Sequence, residues 1–279
     1  MALTRAKLEE LIDNGDIDVG GGGLNPNILH NSDFRNPVNQ RGVSGAISTG
    51  TYFFDRWIRN SGTVTVNAGY LTLASGAVIE QRIEGLHLAG ETVTVSVMVG
   101  STIYNGTGVF PTSAGTAAVT LTGFGTATLG YNAGYMFVRF TASESQNVVA
   151  VKCELGTVST LHLDPPVDHA VELPKCQWFY RRADNAIGAQ AWFYGRSGIS
   201  ASGQFYLIIP GSQMRVNPTF VYDNVFMVVY AGASYPATVT SVVSTMYGIV
   251  ISGTCSTSVP KLMPIVGWAN NIVELSADL

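Results

Sequence analysis

Acidic side chains are the first candidates for chemistry, because glycosidases need two carboxylates that flank the scissile bond. The acids in or near the predicted strands of the first half are Glu80, Glu84, Glu91 and Glu154. Glu80 and Glu84 share one face of a predicted strand, but about 13 Å of extended chain separates them. A retaining pair needs about 5 Å. A polysaccharide depolymerase therefore stays open as an alternative, without a residue pair that stands out.

Other catalytic patterns are weaker still. Serine hydrolases carry their nucleophile in a G-x-S-x-G turn, and the nearest segment, Gly195-Arg196-Ser197-Gly198, has a different spacing. The four histidines form no metal-binding pattern. Two of them flank a diproline together with two aspartates, and this cluster can hold a cation, although linkers collect such residues anyway: His162, Asp164, Asp168 and His169. We expect no enzyme, no catalytic residues and no cofactor.

The composition excludes two function classes. Charged residues make up 12% of the 279-residue chain and apolar residues 46%, with 31 glycines and a net charge of -4. A disordered chain would be rich in charge and poor in apolar residues. A nucleic-acid-binding protein would normally carry a basic patch, and the densest basic cluster is the pair Arg181-Arg182. We therefore predict no nucleic-acid partner.

Two long stretches, 92–138 and 224–260, contain no charged residue at all. A monomer usually stays in solution through surface charge, so these stretches favour burial against copies of the same chain. They could also be strands packed on both faces within a monomer.

No window reaches the about 18 apolar residues of a membrane-spanning helix, and we predict no membrane insertion. The N-terminus lacks the apolar core of a signal peptide, and three scattered cysteines fit reduced thiols in a protein folded in the cytoplasm.

The elements that must position these residues are almost all strands. The N-terminal segment 1–26 is predicted to contain one short helix at 4–14 and then a flexible linker with four consecutive glycines. A disordered leader is the alternative. Residues 27–163 alternate apolar and polar side chains, which predicts an antiparallel, jelly-roll-like β-sandwich. Asn67-Ala68-Gly69 predicts a hairpin turn. We expect Trp57 in the core, with Asp55 and Arg56 at the sandwich rim.

Pro165-Pro166 marks the clearest boundary, inside a Pro-rich linker at 164–175. A second β-rich unit follows at 176–279, which we expect to be another sandwich. Its segment IIPGSQMRVNPTF contains Met214 and Arg215, which could face a threefold axis or point outward. The fold class is therefore all-β.

Three passages together resemble bacteriophage and prophage tail-fibre proteins. They are NILHNSDFRNPVNQRGVSG with YFFDRW, then VKCELGTVSTLHLDPPVDHAVELPKCQWFYRR, then IIPGSQMRVNPTF with the ending VELSADL. The first is similar to the start of a carbohydrate-binding-module-like sandwich, the second to the junction behind it, and the third to a trimeric tip domain. Trp178 is a departure, since the family pattern has a basic residue there.

The resemblance implies a homotrimeric receptor-binding protein at the end of a tail fibre, located in the virion. Its partners would be a host cell-surface polysaccharide and an upstream tail or baseplate protein held through the N-terminus. Analogy with similar sandwiches adds a structural calcium ion that bridges Asp33 and Glu154. A structural tail or baseplate component without a receptor site of its own is an alternative reading.

Sugar-binding residues can be proposed by type, because aromatic faces stack on sugar rings while polar groups bind the hydroxyls. The second unit, which we favour for this contact, offers Trp192, Tyr194, Arg196, Tyr230, Tyr235 and Tyr247. The first unit offers Tyr52, Tyr104, Tyr131 and Tyr135. For each of them, a packed ring with its hydroxyl outside is the alternative.

Overall fold

The computed structural model describes most of the chain from residue 25 onward. The described residues are 25–184, 191–197, 204–210, 213–222, 226–230, 233–246, 248–255, 264–269 and 272–277. The helix predicted at 4–14 and its glycine linker lie outside them. Within these ranges, no helix has the length and apolar character needed to cross a lipid bilayer.

Antiparallel strands build the first unit, as the alternating sequence predicts. They are β1 (Gly45–Ala46), β2 (Trp57–Ser61), β3 (Val64–Asn67), β4 (Tyr70–Leu73), β5 (Val78–Glu84), β6 (Thr92–Val99), β7 (Thr102–Val109), β8 (Gly115–Leu121), β9 (Gly125–Asn132), β10 (Tyr135–Ala142) and β11 (Gln146–Leu155). A six-stranded sheet has the order β1-β3-β4-β11-β6-β7, and a five-stranded sheet has the order β2-β5-β10-β9-β8. Buried residues from both sheets form one core, which confirms the antiparallel sandwich.

The β3–β4 hairpin shows how the sequence pattern produces this unit. Val64 and Val66 are buried while Thr65 between them is partly exposed, because successive side chains of a strand point to opposite faces. Asn67 pairs with Tyr70, which leaves a two-residue loop. Gly69 in that loop has a φ of 86°, a conformation that glycine adopts without a steric penalty. The hairpin prediction is confirmed.

Aromatic side chains close one end of the core. Trp57 is fully buried, as predicted, and its ring meets Phe34 edge-on with 5.4 Å between the ring centroids. Its indole Nε1–H donates to the backbone oxygen of Asn31 at 2.8 Å. The two charged residues before it, Asp55 and Arg56, were predicted at the rim of the sandwich, but the structure buries both of them. The segment that follows the sandwich covers them.

That covering segment is the junction. A 3₁₀ turn (Leu161–Leu163) and an irregular stretch through Pro165 and Pro166 lead into helix α1 (His169–Gln177). The Asp168 carboxylate accepts a hydrogen bond from the Ala170 N–H at 2.8 Å and caps the helix. The segment 164–175 is thus irregular in its first part and helical in its second, and the helix continues to Gln177.

The second unit is also antiparallel. Its strands are β12 (Tyr180–Asp184), β13 (Ala191–Ser197), β14 (Gln204–Pro210), β15 (Thr219–Tyr222), β16 (Phe226–Tyr230), β17 (Ala233–Thr245), β18 (Gly248–Cys255), β19 (Pro264–Ala269) and β20 (Ile272–Ser276). Three of them form the sheet β12-β20-β15, and six close a barrel in the order β13-β14-β18-β17-β16-β19. We expected a second sandwich. The sheet closes instead because β19 pairs with both β13 and β16.

Met214 and Arg215 illustrate the packing of this unit. Met214 is fully buried in a core with Phe205, Leu207 and Ile251, so it faces inward and not along an external axis. The Arg215 guanidinium donates from Nε to the backbone oxygen of Ala277 at 2.9 Å. This contact ties the loop before β15 to the end of β20.

Candidate functional site

A groove lies where the sandwich meets the junction, and we call it the junction groove. It has a volume of about 760 Å³. Its lining residues come from the segment before β1, from the residue before β2, from β5 and the loop behind it, and from the end of α1 with the two residues after it: Asn27, Ile28, His30, Arg56, Gln81, Ile83, Glu84, His87, Pro174, Lys175, Trp178 and Phe179. Apolar and aromatic side chains with a few polar groups are typical of small-ligand sites.

Two amides hold one wall of the groove in place. The Asn27 side-chain oxygen accepts from the Leu29 N–H at 3.0 Å, and its amide nitrogen donates to the backbone oxygen of Val151 at 3.0 Å. The Gln81 side chain forms a reciprocal pair with the His30 backbone, in which both distances are 2.7 Å. These bonds anchor the segment before β1 to the two sheets, so that the His30 ring lines the groove.

Trp178 forms the opposite wall at the C-terminal end of α1. Its side chain is half-buried, and the indole Nε1–H donates to Glu84 Oε2 at 3.3 Å. Its backbone oxygen accepts from the Arg215 N–H at 2.8 Å, and Arg215 Nη1 lies 4.0 Å from Glu84 Oε1. The sandwich, the junction and the second unit therefore meet around this tryptophan.

Beneath the groove, Arg56 and Phe179 form a stacked pair. The Arg56 guanidinium lies 3.3 Å from the centroid of the Phe179 ring and donates to the backbone oxygen of Arg82. Arg56 has a φ of 83°, an uncommon conformation for a side chain of this size. The stacking and the hydrogen bond hold the strained residue in position.

The imidazole of His30 stays neutral near neutral pH. Its pKa is lowered from 6.5 to about 4, mainly by burial, with a smaller lowering from the Arg56 and Lys175 charges that Glu172 opposes. Its Nδ1 atom is buried and has no hydrogen-bond partner among the described residues. The His30 ring is therefore a neutral group whose Nδ1 is buried in the wall of the groove.

The acids that we considered for a glycosidase are not brought together. Glu80 is buried and accepts from Arg82 Nε at 2.9 Å and from Arg139 Nε at 2.5 Å. Glu84 is half-exposed and is the single carboxylate among the described residues that line the groove. One carboxylate can bind a hydroxyl group but does not supply the acid and base of glycoside hydrolysis.

The expected calcium ligands have other partners. Asp33 forms a bidentate pair with Arg35, at 2.8 and 2.7 Å. Glu154 lies fully buried with its Oε2 3.5 Å from the ammonium of Lys152, which also donates to Asp164. The calcium site stays a prediction, although the Lys152 ammonium already lies beside Glu154, one of the two expected ligands.

Three of the four residues around the diproline also have separate partners. Asp164 pairs with Lys152, Asp168 caps α1, and His169 Nε2 lies 2.8 Å from the backbone oxygen of Asn36. In the part of the chain that the structure describes, no three His, Cys, Asp or Glu side chains form a group that could hold a metal ion.

The sugar-binding residues expected in the second unit lie on barrel strands. Trp192, Tyr194 and Arg196 are alternate residues of β13, Tyr230 ends β16, and Tyr235 lies in β17 with a partly buried side chain. Tyr247 lies outside the described residues. β13 and β16 are both neighbours of β19, so their backbones are close in the barrel.

The tyrosines of the first unit are mostly packed. The Arg41 guanidinium lies 5.0 Å from the Tyr52 ring centroid, and Arg82 lies 5.1 Å from that of Tyr135. Tyr104 and Tyr131 pack against the sandwich core.

Sequence reasoning missed the junction groove, although it singled out two of the segments that form it, the one before β1 and the junction. The available signal was Trp178, an aromatic residue where the resembled family has a basic one. Its partner Glu84 is distant in sequence, and only the fold brings the two together. The chain matches no family model, no curated protein and no solved structure.

Proposed function

We propose that this protein is a non-catalytic attachment protein of a bacteriophage tail fibre, which binds a host cell-surface glycan in the junction groove. The observation that carries the proposal is the half-buried Trp178 ring on the wall of an apolar groove, with the Glu84 carboxylate at its edge. Aromatic rings stack on the apolar faces of sugars, and a carboxylate accepts hydrogen bonds from their hydroxyls.

A binding role fits the groove better than a catalytic one. The single carboxylate of its lining leaves a hydrolytic mechanism without its second acid group. The depolymerase alternative therefore needs a second carboxylate, supplied either by another chain or by the bound polysaccharide. A purely structural tail or baseplate component needs no groove, and it predicts that the purified protein does not bind host cells.

The proposal includes a homotrimer. Its support is an exposed apolar row on the barrel, where Ile208 is 46% exposed and Val243 39% exposed. Ile208 pairs with Val250, and Val250 pairs with Val243 on the next strand, so the three form a continuous band without charge. Burying such a band between copies leaves no unpaired charge. Three sites on one trimer would raise the overall affinity through avidity.

The proposal also includes a jelly-roll arrangement of the sandwich. Its support is that β4 and β11, and also β11 and β6, are spatial neighbours although they lie far apart along the chain. The upstream tail or baseplate partner, bound through the N-terminus, and the location in the virion belong to the same proposal and derive from the sequence resemblance.

Binding of the purified full-length protein to host cells and to a glycan array tests the proposal. We expect saturable binding that Trp178→Ala weakens at least about ten-fold, equivalent to about 1.4 kcal/mol. Tyr70→Ala is the matched control, since Tyr70 lies on the six-stranded sheet and not in the groove. Absence of saturable binding by the wild-type protein would leave the structural alternative. Release of reducing ends from the bound polysaccharide would favour the depolymerase.

A further inference from the structure

The outer face of the five-stranded sheet carries two arginines on its adjacent strands β5 and β10. Residues that pair directly across two antiparallel strands point to the same face. Glu80 pairs with Arg139 in this way, and Arg82 pairs with Phe137. Val138 belongs to the core of the sandwich, so its two neighbours on β10 point away from the core. We call Arg82 and Arg139 the arginine pair.

A buried carboxylate holds the arginine pair in place. Glu80 is 1% exposed although it lies on the outer face of the sheet. It accepts hydrogen bonds from Arg82 Nε at 2.9 Å and from Arg139 Nε at 2.5 Å. The Asn60 side-chain amide donates to the same carboxylate at 2.9 Å. Two guanidinium groups therefore share one acid, and the cluster keeps one net positive charge.

Aromatic rings fix the orientation of both guanidinium groups. Arg82 lies 5.1 Å from the centroid of the Tyr135 ring, and Arg139 lies 4.2 Å from that of Phe137. The Phe137 ring rests on Gly130, where a Cβ atom would lie 1.9 Å from Cζ, and Phe137 is 5% exposed. Arg139 is therefore the outer layer of this stack. Arginines that are already ordered lose less side-chain freedom when a ligand binds.

The arginine pair can donate to a ligand from the solvent side. The side chains of Arg82 and Arg139 are 27% and 35% exposed. A guanidinium group has five N–H donors, and the contact between Arg139 and Glu80 uses the one on Nε. Planar guanidinium groups bind carboxylates through two parallel hydrogen bonds. The cluster thus presents two oriented cations and hides the single acid that they share.

The arginine pair lies close to the junction groove. The next acid along β5 after Glu80 is Glu84, which has Arg215 Nη1 at 4.0 Å and accepts from the Trp178 indole N–H. Glu84 is two residues from Arg82, which corresponds to about 7 Å of strand. An oligosaccharide that contacts Trp178 is therefore within reach of the arginine pair.

From these contacts we infer that the outer face of the five-stranded sheet binds a carboxylate of an acidic polysaccharide through Arg82 and Arg139. Charge complementarity carries this assignment, because the cluster is positive and its neighbours β9 and β8 lie within the uncharged stretch 92–138. No acidic side chain of those two strands repels the ligand. The inference rests on the proposed function and specifies the glycan as an anionic one. Glu80 is the positioning residue of this site.

Matched polysaccharides test the charge requirement. Calorimetry with the full-length protein compares polygalacturonate with its carboxyl-reduced form, and polysialic acid with its carboxyl-reduced form. The two members of each pair share their linkages and differ in their carboxylates. We expect the acidic member of at least one pair to bind at least about ten-fold more tightly than the neutral member, a difference of about 1.4 kcal/mol. Added salt should weaken this binding, because the arginine pair is partly exposed.

Variants of the arginine pair identify the contact. Arg139→Gln should lower affinity for the acidic member at least about ten-fold and leave affinity for the neutral member unchanged. Arg139→Lys keeps the charge without the planar fork and should retain part of the binding. Arg35→Gln is the matched control, because Arg35 is an exposed arginine that pairs with Asp33 in the segment before β1.

A double variant, Arg139→Gln with Glu80→Gln, separates the contact from the net charge. It removes the buried acid together with its cation, so the net charge of the cluster equals that of the wild type. We expect it to bind the acidic member less tightly than the wild type does. Far-UV circular dichroism and the thermal midpoint establish that each variant is folded, and the double variant replaces Arg139→Gln if the single one unfolds.

Three results would overturn the inference. The first is a wild type that binds neither acidic polysaccharide, or binds the neutral members as tightly. The second is wild-type affinity for the acidic member in the folded Arg139 variants. The third is an equal loss of affinity in Arg35→Gln. Binding to host cells that Trp178→Ala weakens would still support the proposed function in each case, so the two failures are distinguishable.

Discussion

The buried ammonium of Lys152 on β11 should be a major determinant of sandwich stability. Its side chain and that of Glu154 are both fully buried, with Nζ 3.5 Å from Glu154 Oε2. The ammonium also donates to Thr160 Oγ1 at 2.8 Å and to Asp164. Replacement of Lys152 by Met would keep the apolar stem and remove the charge that balances Glu154.

Removal of one partner from a buried ion pair typically costs about 3–5 kcal/mol, because the other charge stays buried and unpaired. Glu154 would keep the hydrogen bond from the Thr160 N–H at 2.7 Å, and the Asp164 side chain is 26% exposed and can turn to water. The lower end of the range, about 3 kcal/mol, is therefore expected for Lys152→Met. At about 2–4 °C per kcal/mol for a domain of this size, the thermal midpoint should fall by about 6–12 °C.

Urea unfolding followed by far-UV circular dichroism measures the loss in free energy of unfolding. A double variant, Lys152→Met with Glu154→Gln, should recover a clear part of it, since the buried carboxylate is then neutral. Lys175→Met is the matched control, because its pair with Glu172 is on the surface and should contribute less than about 1 kcal/mol. A loss below about 1 kcal/mol for Lys152→Met, or a double variant no more stable than the single one, would refute the reasoning.

Two further predictions concern the sandwich. The pKa of His30 is about 4 in the folded protein and 6.5 in the unfolded chain, so between these pH values only the unfolded state takes up the proton. The free energy of unfolding is therefore unaffected by this proton above pH 6.5 and falls by roughly 3 kcal/mol as the pH is lowered toward 4. His30→Phe should flatten this dependence, and a stability difference between the two proteins that does not change with pH contradicts the assignment. A Cβ at Gly130 would lie 1.9 Å from Cζ of Phe137, so Gly130→Ala should cost about 1–3 kcal/mol in urea unfolding. Adding Phe137→Leu should restore part of that loss, whereas no rescue would show that the clash is not the cause.

The sequence alone determined the class of the fold, because the period-two alternation of apolar residues is a local property of each strand. The burial of Val64 and Val66 follows from this alternation, and the turn at Gly69 follows from the Asn67-Ala68-Gly69 signal. The burial of Trp57 was also predictable, since large aromatic side chains usually pack in the core of a sandwich. None of these features requires knowledge of which strands are neighbours.

Tertiary structure decided the rest, because it depends on contacts between residues far apart in the chain. The barrel closes through β19, which pairs with both β13 and β16. The sequence of β19 alone does not indicate these two partners. Asp55 and Arg56 are buried because the junction segment folds back over them. The candidate site has the same origin. His30, Glu84 and Trp178 belong to three separate segments, and only the docking of α1 on the sandwich places them around one groove.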